Sequence, residues 1–387
     1  MTDSSNNAEP RTPPAFLVRF SKLYTNTAVS VLSTLILFTG FVVLSYAYYA
    51  IPGKGILPVY SKDFRPRAMH RMDRDQALGF FKEFDRMGQE ETFIYQPWVG
   101  FSERVFHSPR LNVDDAKPMP TRRTVQGRSG RGGHPLIIWT FGGSTMFGWG
   151  VPDDETIASH LSAILSHDLP GRNVSVTNYG HSYYYSSQEL ALFQILLRRG
   201  ERCDIAVFMD GLNDSFAYSL SDVPEFTDRM TLAMAKEQQS NPTSQAYIRV
   251  SPDFPPVRLL RGIVRKLARR PEPVLRPEQF PARDVGPDVS TYQFNLSTGA
   301  ALGSVCNVKT IYFWQPVPGD ALYAPSRDLA ARIKQAVKAE NFHFIADIFK
   351  DVDPRDVFVD YHHYGDVASE RIAEAIAREV LAKLPRE

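Results

Sequence analysis

The sequence predicts an α/β protein built on a doubly wound parallel sheet, with one N-terminal transmembrane helix and a long insertion. Three observations predict it. After position 136, short runs of apolar, β-branched and aromatic residues recur, as buried parallel strands do. Between them lie segments whose apolar residues repeat at helical spacing, and strands alternating with helices give a parallel sheet covered on both faces. Residues 28–51 carry no charged side chain, and about 20 apolar residues suffice to span a bilayer.

Composition limits the function classes. With 387 residues and 43% hydrophobic content there is material for a sizeable core. The formal net charge of +1 gives no global reason to expect a nucleic-acid partner. Cys203 and Cys306 are the only cysteines and match no metal motif.

In chain order, residues 1–27 read as a polar, disordered cytoplasmic tail. The span follows at 28–51, with Tyr46, Tyr48 and Tyr49 at one end as interfacial aromatics. A cleaved signal peptide competes, since Ser45-Tyr-Ala47 fits a small-x-small site; the length of the apolar run favours a retained anchor. Lys54, Lys62, Arg65, Arg67 and Arg71 outnumber the basic residues before the span, which argues for a cytoplasmic domain. A signal anchor followed by one large domain argues for export to the periplasm or cell exterior, and this orientation is preferred.

Residues 52–135 read as a loop-rich linker and accessory segment. Within it Asp75–Met87 has the pattern of a short amphipathic helix, Phe93–Phe101 that of an extended aromatic piece, and Thr121–His134 that of an exposed loop. The remaining domain, 136–387, opens with the strand Leu136-Ile-Ile-Trp-Thr-Phe141. Gly142 and Gly143 then allow a sharp turn before Ser144, and a helix is expected from Asp153. Strands follow at Val174–Gly180, Asp204–Met209, Val308–Trp314 and Phe342–Asp347. Helices are expected at Gln188–Arg199, Ser326–Ala339 and Val367–Leu384. An insertion at 215–290 is polar and proline-rich. Inside it, residues 257–270 pattern as a basic amphipathic helix that could touch an anionic surface. Cys203 and Cys306 each stand just before a strand, so a disulfide between neighbouring strands is expected.

Ligands of such sheets bind beyond the carboxyl ends of the strands. Polar groups fall at three of those ends: Ser144, Gly180 and Asn213. Asp360 and His363, three residues apart, can share one turn, with the carboxylate orienting the imidazole. The imidazole can take a proton from the Ser144 hydroxyl, and Gly180 N–H and the Asn213 amide can face an oxyanion. The plain alternatives are an ordinary Gly-rich strand-to-helix turn at Ser144, and His362 in place of His363. Asp210 and Asp214 read as braces of the turn carrying Asn213. Tyr183, Tyr184 and Tyr185 read as packing at a helix start, or as a stacking surface for a sugar ring.

These blocks, Gly142-Gly-Ser-Thr145, Asn178-Tyr-Gly180, Gly211-Leu-Asn-Asp214 and Asp360-x-x-His363, resemble those of the SGNH, or GDSL-type, serine hydrolase superfamily in order and rough spacing. The resemblance covers about residues 136–384. It implies a flavodoxin-like sheet, Ser144 as nucleophile, His363 as base and Asp360 as its orienter. It further implies Gly180 and Asn213 as oxyanion donors beside the Ser144 N–H. The His362–His363 pair could be read as metal ligands, yet no third ligand is spaced for it; no metal and no cofactor are expected. Gly143 departs from the commoner pattern, in which Asp precedes the serine. An α/β-hydrolase elbow is disfavoured, because Met146 stands where that motif needs glycine, and no Gly-Lys-Ser/Thr follows to make a phosphate loop. The function expected is a membrane-anchored ester hydrolase acting on an acylated carbohydrate or a lipid-like ester. An acyltransferase that O-acetylates an envelope polysaccharide and a non-catalytic tethered binding protein are the alternatives.

Overall fold

A computed structural model describes residues 15–50, 66–89, 93–128, 135–217, 231, 255–257, 259–260, 285–318 and 324–384. The chain divides into two compact units, Met1–Ile56 with Tyr247–Glu272, and Leu57–Ala246 with Pro273–Glu387. Most of the insertion lies outside the described residues. So does the basic stretch 257–270, apart from 257, 259 and 260.

The first unit contains helix α1, Ala15–Ala50. It starts well before the expected residue 28, so the tail read as disordered to 27 is helical from Ala15. The physical reason is local. From Ala15 no proline or glycine interrupts the run until Gly40. Within α1, Val18–Tyr48 is a 31-residue stretch long and apolar enough to cross a membrane.

The second unit is organised by an eight-stranded sheet. Its strands are β3 (Phe106–His107), β4 (Asn112–Asp114), β5 (Thr121–Arg122), β6 (Leu136–Gly142), β7 (Val174–Asn178), β8 (Ile205–Asp210), β9 (Lys309–Trp314) and β10 (Phe342–Phe344). Their spatial order is β10-β9-β8-β6-β7-β5-β4-β3. The five strands from β10 to β7 are parallel, and β5, β4 and β3 extend the sheet antiparallel. A separate hairpin pairs β1 (Phe93–Gln96) with β2 (Gly100–Glu103).

The central strands β6, β8 and β9 are buried on both faces, which is why they read as nearly continuous apolar runs. Alternate side chains go to opposite cores. Trp139, Phe141, Phe208, Tyr312 and Trp314 enter one core. Leu136, Ile138, Val207, Met209, Ile311 and Phe313 enter the other. The first core is closed by α5 (Ser186–Arg198), α7 (Gly286–Val305) and α8 (Ala324–Ala336), through Phe193, Tyr292 and Ile333 among others. The second is closed by α4 (Ile157–Asp168) and α10 (Asp366–Lys383), through Leu161, Leu165, Ile372 and Ile376. Four shorter or peripheral helices complete the set. They are α2 (Arg74–Gln89), α3 (Ser144–Phe147) and α6 (Leu212–Ala217), with α9 (Pro354–Val357) leading into the last loop.

Three expectations are corrected. Thr121–His134 is not simply an exposed loop: Thr121 and Arg122 form β5, and Arg122 pairs with Asn178 in the sheet. The Arg122 guanidinium is buried beside Asp153, with one nitrogen 3.1 Å from that carboxylate, and lies over the Phe147 ring. A charge so placed is legible only once its partner is known. Second, α7 occupies a stretch for which no element was expected beyond the end of the insertion at 290; Gly299 and Gly303 stand where the helix meets Tyr312 and the backbone of Val308. Third, Cys203 and Cys306 are both free thiols. They do precede neighbouring strands, since Ile205 pairs with Lys309. Cys203 is buried, while Cys306 is held in the end of α7 by its N–H to the Leu302 and Gly303 carbonyls.

Candidate active site

The order β7-β6-β8-β9-β10 winds outward in both directions from β6, so the chain's topological switch lies where β6 meets β8. Ligand crevices form outside the carboxyl ends of strands at such a point. Ser144 follows β6, and Asn213 follows β8. Gly142 pairs with Met209 across the two strands, which brings these turns side by side.

Ser144 opens the four-residue helix α3, with Gly143 extended before it and Gly148 left-handed after it (φ 85°). Its N–H therefore has no partner inside that helix. Thr145 Oγ1 donates to Gln315 Oε1 at 2.6 Å, tying the turn to the end of β9. The side chain of Ser144 is nearly enclosed, at 9% exposure.

His363 Nε2 lies 2.8 Å from Ser144 Oγ, and His363 Nδ1 lies 2.6 Å from Asp360 Oδ2. The other carboxylate oxygen, Oδ1, accepts the backbone N–H groups of His362 (2.9 Å) and His363 (2.8 Å). Asp360 is thus fixed on both oxygens. Burial works to raise its carboxyl, but the His363 imidazole and these donors outweigh burial and hold it well below the usual carboxylate range. An ionised Asp360 only accepts, so Nδ1 carries the proton and Nε2 faces the hydroxyl as an acceptor. The loop is closed on itself by the Val359 N–H to His363 O (2.8 Å) and the Gly365 N–H to Val357 O (2.8 Å). Tyr364 Oη donates to Pro316 O at 2.5 Å, fastening the loop to the end of β9.

His362 stands outside this line. Its ring lies against that of His363, with centroids 4.1 Å apart. Burial and the neighbouring imidazole push its pKa down to about 3, with Asp360 opposing, so it is neutral near pH 7. Of the two histidines, His363 is the one placed against the serine.

The Asn213 amide lies over Gly143. A Cβ built at 143 would stand 2.3 Å from Asn213 Nδ2 and 3.0 Å from the Tyr184 carbonyl oxygen. Asn213 Nδ2 donates to that oxygen at 2.6 Å, and an amide nitrogen has a second proton to give. Gly143, the residue that departs from the commoner pattern, is what lets this amide approach. Asp214 braces the turn by accepting from Gly211 N–H and from Ser186 Oγ, the latter at 2.6 Å.

Gly180 departs from the expectation. Its N–H donates to Asn178 Oδ1 at 2.9 Å, while Asn178 Nδ2 donates to Met146 O at 2.9 Å. A Cβ at 180 would meet Phe147 N at 2.5 Å. The glycine is required there for close packing of the loop on α3, and its N–H is already engaged. Tyr184 and Tyr185 are buried, whereas Tyr183 is 41% exposed and has a positive φ of 67°. Sequence reasoning passed over Asn178 as a link to α3 and Tyr184 as the acceptor that holds Asn213. Their role depends on backbone groups from distant elements, which no local pattern announces. Among the described residues no set of three or more His, Cys, Asp or Glu side chains converges in a way that could hold a metal ion.

No family model matches the sequence. Nor does any curated protein. Solved structures do. One is the crystal structure of TesA, at 16% identity, covering 64% of this chain and 100% of that one with a TM-score of 0.40. Another is a member of the lipolytic protein G-D-S-L family from Veillonella parvula DSM 2008, at 16% identity, 64% and 100% coverage and a TM-score of 0.36. A third is the lipase/acylhydrolase from Enterococcus faecalis, at 16% identity, 65% and 98% coverage and a TM-score of 0.37.

Proposed function

We propose that the chain is a serine ester hydrolase of the SGNH, or GDSL, type, working through an acyl-enzyme. The observation that carries this reading is the continuous line Asp360 Oδ2, His363, Ser144 Oγ, with contacts of 2.6 and 2.8 Å, set beside the Asn213 amide. Such a line does specific chemistry. His363 Nε2 takes the hydroxyl proton as Ser144 Oγ forms a bond to the ester carbonyl carbon. The carbonyl π pair moves to oxygen, where the Ser144 N–H and the second Asn213 N–H receive the negative charge. Collapse of this intermediate breaks the bond to the alcohol, which leaves with the proton held on His363. Water then repeats the sequence and releases the acid.

The fixed carboxylate of Asp360 supports this role, since it holds the imidazole in the tautomer that can accept from serine. We take the substrate to be an acylated carbohydrate or a lipid-like ester met at a membrane, to which α1 has the length to anchor the chain. The catalytic unit is then exported. The test is turnover of p-nitrophenyl acyl esters of graded length, and of acetylated glycans, by the full chain and by Ser144→Ala. Hydrolysis by the wild type that falls by several orders of magnitude in the variant is expected. Undiminished hydrolysis by a folded Ser144→Ala protein rejects the reading.

A further inference from the structure

The Asn213 amide is only as well placed as the Tyr184 carbonyl that holds it, and that carbonyl belongs to a loop, 180–185, with no regular structure of its own. We propose that Glu103 is a positioning residue of the oxyanion site, acting through this loop on Asn213. The proposal rests on the ester hydrolase reading above.

Glu103 is the last residue of β2, in the segment before β6, and is fully buried. Both carboxylate oxygens are spent on the loop. Oε1 accepts the Ser182 N–H at 2.7 Å, and Oε2 lies 2.6 Å from His181 Nδ1. His181 is itself buried, and its ring centroid lies 4.8 Å from that of Tyr184. The same strand gives a second hold, since Tyr184 Oη donates to the Phe101 carbonyl at 2.5 Å. On its other side the loop is pinned to the end of β6, through the His181 N–H to Gly142 O at 3.0 Å. The Tyr184 N–H donates back to His181 O at 3.2 Å, so a shift of His181 is carried to Tyr184.

The chain of contacts is therefore Glu103 to His181 and Ser182, to Tyr184, to Asn213. A buried carboxylate accepting two donors, one of them an imidazole N–H, is a strong and directional anchor. An anchor of this kind suits a group whose displacement by a fraction of an ångström weakens an oxyanion contact. Neither end of the chain touches the attacking hydroxyl. Glu103 is thereby separate from the Asp360–His363 pair, though each joins a carboxylate to a histidine Nδ1.

The test uses the full chain in detergent with a p-nitrophenyl ester that the wild type turns over. Glu103→Ala removes both acceptors and is expected to lower kcat by roughly tenfold or more, short of the 10²–10³ typical for losing an oxyanion donor. KM should change much less. Glu103→Gln should recover most of the loss, because its carbonyl can still accept from Ser182 and its amide can donate to the other tautomer of His181. In an Asn213→Ala background, Glu103→Ala should cost little further, since the group it positions is gone. Tyr184→Phe, which cuts the second hold on the same loop, should behave alike and serves if Glu103→Ala does not fold. Additive losses in the double variants, or an effect confined to KM, overturn the assignment. If instead a fluorophosphonate fails to label wild-type Ser144, the hydrolase reading itself falls, and that failure is distinct from additivity in a labelled enzyme.

Discussion

At position 143 a single methyl group would decide whether the Asn213 amide can occupy its place, because the space it needs lies 2.3 Å from Asn213 Nδ2. Gly143→Ala is therefore expected to act like a partial loss of Asn213, lowering kcat by up to about 10² while leaving KM nearly unchanged. Asn213→Ala itself should cost roughly 10²–10³ in kcat, again with a smaller effect on KM. Steady-state kinetics on both variants check this, and a loss confined to KM would make Asn213 a residue for binding the ground state. The residues Ser144, Asn213, Asp360 and His363 were all legible in the sequence, because glycines and short polar blocks after apolar strands mark turns at a sheet's carboxyl edge. The choice of His363 over His362 was legible through its spacing from Asp360. What the sequence could not disclose was the status of Gly180. Its N–H is committed to Asn178 two residues before it; asparagine favours such a bond, but only the fold decides that the N–H is spent on it and not left to a ligand.

At the scale of elements, the central parallel strands β6, β8 and β9 were readable because both of their faces are covered, leaving nearly unbroken apolar runs. Helix α7 and the antiparallel strands were not. The helix carries glycines where it touches β9, and β3, β4 and β5 have two or three residues each, too few to show a period. Beside α7, the elements α5 and β8 bury Glu189 and Asp210, with Tyr292 Oη donating to Asp210 at 3.2 Å. Burial, and then the neighbouring carboxyl, raises Glu189 well above its usual range. Burial, and then the Asp214 charge, pushes Asp210 up to about 8. The folded protein therefore keeps a proton that the unfolded chain loses near pH 4. By linkage, this contribution to stability is full below about pH 4, is lost as the pH rises towards about 8, and is level above that. Glu189→Gln keeps the shape and supplies permanent protons, so the decline in Tm between pH 5 and pH 8 should be shallower than in wild type. Thermal unfolding at the two pH values measures it, and an unchanged decline would contradict the assignment of that decline to Glu189.

For the whole molecule, the order of the sheet explains why residues more than 200 positions apart meet. Strand β6 lies at the switch, β8 beside it, and the last loop is tied to the end of β9 at Pro316 and meets Ser144 at the end of β6 through His363. The N-terminal helix was legible from the charge-free run that begins at residue 28, although not its start, which the polar composition before that residue concealed. If α1 is a retained anchor, the full-length chain should stay with membranes after an alkaline carbonate wash. Recovery of a soluble, N-terminally shortened protein would instead make that helix a cleaved signal. The central claim, that Ser144 is a nucleophile activated by His363, is tested most directly by intact-protein mass spectrometry after exposure to a fluorophosphonate. The account predicts one phosphonyl adduct, mapped to Ser144, absent from Ser144→Ala and formed far more slowly in His363→Ala. A wild-type protein that stays unmodified, or a Ser144→Ala protein that is modified as fast as wild type, would contradict it.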